Sequence, residues 1–179
     1  NSDYGTAIVG TVSGTSISFG SAVVFEAAST SVTKTTYEAN AQKVVIAYRD
    51  AGNSNYGTAI VGTVSGTSIS FGTAVVFNTA GRTDYISAVY DPDAQKVIIA
   101  YGDFANSSYG TVIVGTVSGT SISFGSSVVF NTARTDWMSA VYDPDAQKVI
   151  IAYEDYGNSQ YGTLVVGTVS GTSISFESP

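Results

Sequence analysis

Two stretches of this chain set an aromatic ring beside a cation and a carboxylate: Arg82-Thr83-Asp84-Tyr85 and Arg134-Thr135-Asp136-Trp137. That combination suits a polar ring such as a sugar. The aromatic covers the apolar face, while Arg and Asp exchange hydrogen bonds with hydroxyls. Tyr85 and Trp137 occupy equivalent positions, and an earlier copy carries Val32 there. Phe104 and Tyr156 are further large rings, each directly after a loop Asp, where the first copy has Ala51. Trp137 is the only Trp, and packing between neighbouring units is its competing use.

Other reactive groups lack partners. The chain has no His and no Cys, so a serine nucleophile has no imidazole to activate it. Lys43, Lys96 and Lys148 sit at strand starts beside turns, where solvated flanks are expected rather than Ser-Lys pairs. Asp91 with Asp93, and Asp143 with Asp145, are close carboxylates of the kind glycosidases use. The Pro between them marks ordinary turn chemistry. Arg49, Arg82 and Arg134 are candidates for a clamp on an acidic sugar, but only the last two are equivalent. The loops at Asp50, Asp103 and Asp155 share the phrase Asp-x-x-Asn-Ser. Such oxygen ligands suit Ca²⁺, yet each motif brings one carboxylate, and capping of a turn is the expected role. We therefore expect no enzyme, no cofactor and no resident metal. Asn106-Ser107-Ser108 is a lone glycosylation sequon.

Composition narrows the class. Of 179 residues, 44 % are hydrophobic and 12 % charged, the latter about half the usual share. The chain is too apolar, and too rich in Tyr, Val and Ile, to stay disordered. Its length supports a sizeable core. No run of about 18 apolar residues exists, so no helical membrane insertion is expected. A net charge of −7 argues against nucleic acid and against anionic membranes as partners. It suits an extracellular or cell-surface location. The opening phrase Asn1-Ser2-Asp3-Tyr4-Gly5-Thr6 recurs in close variants at Asn53–Thr58, Asn106–Thr111 and Asn158–Thr163. The first residue thus falls at a repeat joint, and a piece of something longer is expected.

The repeat organises everything else. Tyr4, Tyr56, Tyr109 and Tyr161 each open a YGT phrase, giving a period of 52 or 53 residues. Residues 4–25 and 56–77 differ only at Ser21 and Thr73, and residues 88–101 and 140–153 are identical. Each period holds two hairpins. One is SAVYDPDAQKVIIAY at 87–101 and 139–153, with a degenerate copy at 35–48. Its Asp-Pro-Asp-Ala turn uses Pro for φ and Asp for backbone amides. The other is YGTAIVGTVSGTSISF at 4–19 and 56–71, with variants at 109–124 and 161–176. Its turn is expected to centre on Ser13-Gly14 and equivalents, with Gly at positive φ. Val, Ile, Thr, Tyr and Phe fill the strands between turns. Val97-Ile98-Ile99-Ala100-Tyr101 is apolar at consecutive positions, which predicts a strand buried on both faces. Sheets sandwiched between sheets, with four antiparallel strands per repeat, describe an all-β array of β-propeller-type blades.

The YGT…GTVSGTSISFG and AVYDPDAQKVIIAY phrases resemble, over nearly the whole chain, the tandem propeller-blade arrays of large secreted, cell-surface and phage tail-fibre-like proteins. The resemblance implies binding or spacer modules rather than enzymes. The sialidase-type Asp box is absent.

About 3.5 repeats follow: an orphan second hairpin at 1–32, then blades at 33–85, 86–137 and 138–179, in one continuous repeat domain. Closed rings have about four to eight blades, so further blades or other copies of the chain are expected to complete this one. Variation between copies concentrates in the loops RDAGNSN, GDFANSS and EDYGNSQ and in the blade links, which share one expected face. On that face Arg82, Asp84, Tyr85, Arg134, Asp136 and Trp137 lead the candidates, with Phe104 and Tyr156 behind them. The expected function is non-enzymatic, multivalent binding of glycan or surface polymer in adhesion. The alternative is a structural subunit of an extracellular filament or tail-fibre-like assembly.

Overall fold

The computed structural model describes residues 3–177. An N-terminal hairpin comes first: β1 (Tyr4–Ala7), β2 (Gly10–Ser13) and β3 (Ser16–Phe19). Then β4 (Val23–Glu38), β5 (Lys43–Asp50), β6 (Tyr56–Ser65), β7 (Ser68–Phe71) and β8 (Val75–Asn78) follow. The next repeat holds β9 (Thr83–Asp91), β10 (Lys96–Asp103), β11 (Tyr109–Ser118) and β12 (Ser121–Phe124). The last holds β13 (Val128–Asp143), β14 (Lys148–Asp155), β15 (Tyr161–Ser170) and β16 (Ser173–Phe176). Every strand pairing is antiparallel. No α-helix occurs among the described residues, and no helix there is long and apolar enough to cross a membrane.

Three four-stranded units result. They are β4–β5–β6–β7, β9–β10–β11–β12 and β13–β14–β15–β16. The central strands sort their side chains by parity. Val97, Ile99 and Tyr101 of β10 pack with Val45, Ala47, Ala59 and Val61 of the preceding unit. Ile98 and Ala100 pack the opposite way, with Val149, Ile151 and Tyr153 of the following unit. The consecutive apolar run therefore serves two cores, one on each face. Period-2 alternation explains how a single strand feeds both.

Glycine sets how closely the units stack. After β3, β7 and β12 the fourth strand breaks at Gly20, Gly72 and Gly125, and a Cβ at any of them would overlap a backbone carbonyl of the next unit: Thr67, Thr120 and Thr172 respectively. The same joint recurs three times, which makes the stacking periodic.

Turns follow side-chain chemistry. Asp91 Oδ1 accepts the N–H of Asp93 at 3.0 Å and of Ala94 at 2.9 Å. Asp143 repeats this with Asp145 and Ala146, and Glu38 does so with Asn40 and Ala41. The leading carboxylate of each pair is thus occupied by turn amides. The outer turn is centred one residue later than expected, on Gly14-Thr15. Ser13 pairs with Ser16, and Gly14 at φ 59° is the one positive-φ residue of that turn. Gly at the first central position is what such a tight hairpin turn needs.

The links between units also differ from expectation. Residues 27–34 and 132–137 lie inside the long continuous strands β4 and β13, whereas 79–82 are irregular. The cause is one inserted residue. Asn78 precedes Thr83 by five positions, Asn131 precedes Thr135 by four, and Gly81 is the addition.

Candidate functional site

Alternation along β9 and β13 builds the site. Thr83 and Thr135 point inward and are fully buried. Asn78 Nδ2 donates to Thr83 Oγ1 at 3.1 Å and to Asp103 Oδ1 at 3.3 Å, and Asn131 does the same with Thr135 and Asp155. The Thr83 N–H donates to Asn55 O, and the Thr135 N–H to Ser108 O. With each Thr pinned, the residues on either side share the outer face. Arg82 Nε then lies 2.6 Å from Asp84 Oδ2. Arg134 grips Asp136 through Nε at 3.1 Å and Nη2 at 2.6 Å, a two-pronged pair. The hydrogen bonds to Asp136 push the Arg134 guanidinium pKa up.

The next residue is held in an unusual conformation. Tyr85 has φ 49° and Trp137 φ 51°, and Val32 shares the feature at φ 52°. Each lies at a β-bulge. Positive φ in a bulky residue costs about 1–3 kcal/mol, and such strain concentrates at functional sites. The bulge re-aims the side chain. Trp137 is 71 % exposed, and its ring meets Tyr85 edge-on with centroids 5.2 Å apart. Tyr85 belongs to the second unit and Trp137 to the third, so the ring packs across the joint, the competing expectation, while most of its surface stays exposed. Burial and the charge of Asp136 push the Tyr85 phenol pKa up.

The aromatic residues of the loops hold the arginines. The Arg134 guanidinium carbon sits 4.3 Å from the Tyr156 ring centroid, and that of Arg82 is 5.7 Å from Phe104. Both distances are in the cation–π range. Six of the eight residues singled out from the sequence line one cleft of about 170 Å³: Arg82, Asp84, Tyr85, Phe104, Arg134 and Asp136. Trp137 and Tyr156 stand beside it, Trp137 edge-on to Tyr85 and Tyr156 under Arg134.

Two lining residues were not singled out from sequence, and Arg49 was considered only as part of an arginine clamp. Gly102 and Ser108 complete the lining, and Arg49 reaches across a unit boundary to bond Asp84. Arg49 Nε also donates to Ser31 Oγ at 2.9 Å. Arg49, Gly102 and Glu154 are equivalent positions, so their divergence was a visible signal. Arg49 and Arg82 meet on one carboxylate. The expected three-arginine clamp is therefore two separate arrangements, with Arg134 on its own Asp136.

The Asp-x-x-Asn-Ser loops are short 3₁₀ turns. Asp50 Oδ1 accepts the N–H of Gly52 at 2.9 Å and of Asn53 at 3.2 Å, and Asp155 accepts that of Gly157. Asp103 accepts from the Asn78 side chain. Among the described residues no group of three or more His, Cys, Asp or Glu is placed to hold a metal.

No known protein family matches the chain, and a search of curated proteins gave no match.

Proposed function

We propose that the chain is a non-enzymatic, extracellular repeat module of β-propeller type that binds glycan or surface polymer. The observation that carries this reading is the convergence of Arg82, Asp84, Tyr85, Phe104, Arg134 and Asp136 on one cleft, beside a strained and exposed Trp137. Paired Arg and Asp offer donors and acceptors to hydroxyls. Tyr85 and Phe104 offer ring faces. The cleft lies below the range of about 300–1,000 Å³ typical of drug-sized ligands, which suits one sugar ring or a chain end. Such a contact is weak alone and gains from repetition along a polymer. The chain lacks His and Cys, and the turn carboxylates Asp91 and Asp143 are committed to backbone amides. These features favour recognition over catalysis. A glycan array probed with the folded chain tests the reading, with quenching of the single Trp as a second readout. Binding with quenching supports it; an array without signal overturns it.

A second reading is a structural subunit of an extracellular filament or tail-fibre-like assembly, completed by neighbouring copies. Apolar side chains exposed at both ends of the stack favour it, among them Ile17, Phe19, Val141 and Leu164. Electron microscopy that shows only compact single chains removes it.

A further inference from the structure

The first joint shows what the second one lacks. Ser31 faces Arg49 across the paired strands β4 and β5. At the same register Asp84 faces Gly102 in the second unit, and Asp136 faces Glu154 in the third. Ser31, Asp84 and Asp136 are therefore equivalent, as are Arg49 and Gly102. The Arg49 guanidinium bridges its own unit and the next. Its Nε donates to Ser31 Oγ at 2.9 Å, and its Nη1 donates to Asp84. One repeat later the two acceptors become Asp84 and Asp136, and the residue in the place of Arg49 is Gly102. All three line the cleft of about 170 Å³. The place of a guanidinium is thus left open between two carboxylates.

Charge points the same way. The first joint sets Arg49 and Arg82 against Asp84. The second sets Arg82 and Arg134 against Asp84 and Asp136. Between the two joints Ser29 gives way to Arg82 and Ser31 to Asp84, and these changes cancel. What remains is one missing positive charge, the one that Arg49 brings. The net charge of −7 also draws cations toward the chain.

The resident arginines do not bar a cation. Arg49 and Arg82 already share Asp84 at the first joint, so two guanidiniums fit around one carboxylate. At the second joint Arg82 lies against Phe104 and Arg134 against Tyr156, which fixes where each stands. Tyr85 lines the cleft where the first joint has Val32. An aromatic ring attracts a cation over its face, and an aliphatic side chain does not.

Building on glycan recognition at this cleft, we propose that it is a cation subsite that takes the charged ammonium of an amino sugar. The ammonium sits where the Arg49 head group sits one joint earlier, between Asp84 and Asp136. Its three N–H donors suffice for both carboxylates. Hydrogen bonds between ionised partners are the strong ones, so the charged amine dominates the choice among sugars. The sugar ring that carries it lies at the mouth, beside the exposed Trp137. N-acetylation removes the charge and adds bulk at the same atom, so the acetylated sugar is rejected.

Titration of the folded chain with a glucosamine oligomer, its N-acetylated counterpart and a uronic acid oligomer tests this. The readout is fluorescence of the single Trp, at a pH that keeps the amine charged. The glucosamine oligomer should bind about tenfold more tightly than either of the others, and arginine amide should compete with it. Gly102→Arg supplies a guanidinium from the chain itself. It should abolish binding of the glucosamine oligomer and of arginine amide while thermal unfolding stays cooperative. Equal binding of the N-acetylated oligomer, or tighter binding of the uronic acid oligomer, overturns the proposal and leaves glycan recognition standing. Arginine amide that binds while every sugar fails keeps the cation subsite and removes glycan recognition. Binding by none of them removes both.

Discussion

Gly102 stands where Arg49 stands one repeat earlier, and this difference decides where the surface opens. Arg49 fills the space at the first joint and bonds Asp84 of the next unit. At the second joint Gly102 brings no side chain, and the cleft with Arg134 and Asp136 forms there.

Gly102→Arg should close that cleft. A Cβ at Gly102 would lie 3.3 Å from Thr135 O, tight but tolerable, so a stability loss of about 1 kcal/mol is expected. Binding on a glycan array should vanish while thermal unfolding stays cooperative. Arg49→Gly should open an equivalent cleft at the first joint and raise the number of bound ligands, measured by titration calorimetry.

Trp137 separates recognition from stability. It is exposed and holds a positive φ. Trp137→Gly removes backbone strain of about 1–3 kcal/mol and loses an edge-on ring contact of about 0.5–1.5 kcal/mol. The variant should melt no lower than the parent, yet bind ligand at least tenfold more weakly. A large drop in melting temperature would show that the ring packs rather than recognises.

The stacking glycines should be intolerant. Gly72→Ala forces a Cβ into the Thr120 carbonyl and is expected to cost about 3 kcal/mol, because a backbone joint must move. Gly162→Ala, which meets nothing, should stay within about 0.5 kcal/mol. Urea denaturation of the two variants reads the contrast directly.

Alkaline pH should unfold the protein. Burial, and then the hydrogen bond to Glu38, push the Tyr90 phenol up to about 12. Burial raises Tyr48 and Tyr101 as well. A raised folded pKa means that the folded state favours the neutral phenol. Its contribution is whole below the unfolded value of about 10 and disappears as pH climbs through 12. Phenolate absorbance should lag behind that of free tyrosine, then rise together with the loss of circular dichroism. Smooth titration near pH 10 in a folded chain would contradict this.

Much of the architecture was legible because it is local. The Asp-Pro-Asp-Ala turns work through side chains two or three residues away, so Asp91 and Asp143 could be read in place. The both-faced burial of Val97–Tyr101 follows from strand alternation and was expected. The site was legible in part. Arg82, Asp84 and Tyr85 share a face by alternation, but their meeting with Arg134 and Asp136 depends on how one sheet is set against the next.

By itself, the sequence determined the repeat, the strands, the Asp-Pro-Asp-Ala turns and the two-sided core, since each rests on contacts within a few residues or on a period of two. Tertiary structure alone decided the joints. Arg49 reaches Asp84 across 35 positions, Gly102 leaves room for a cleft, and Gly20, Gly72 and Gly125 each meet a carbonyl of the next unit. These relations depend on the offset between stacked sheets. That offset is set by many backbone and side-chain contacts acting together, and no short stretch of sequence contains it.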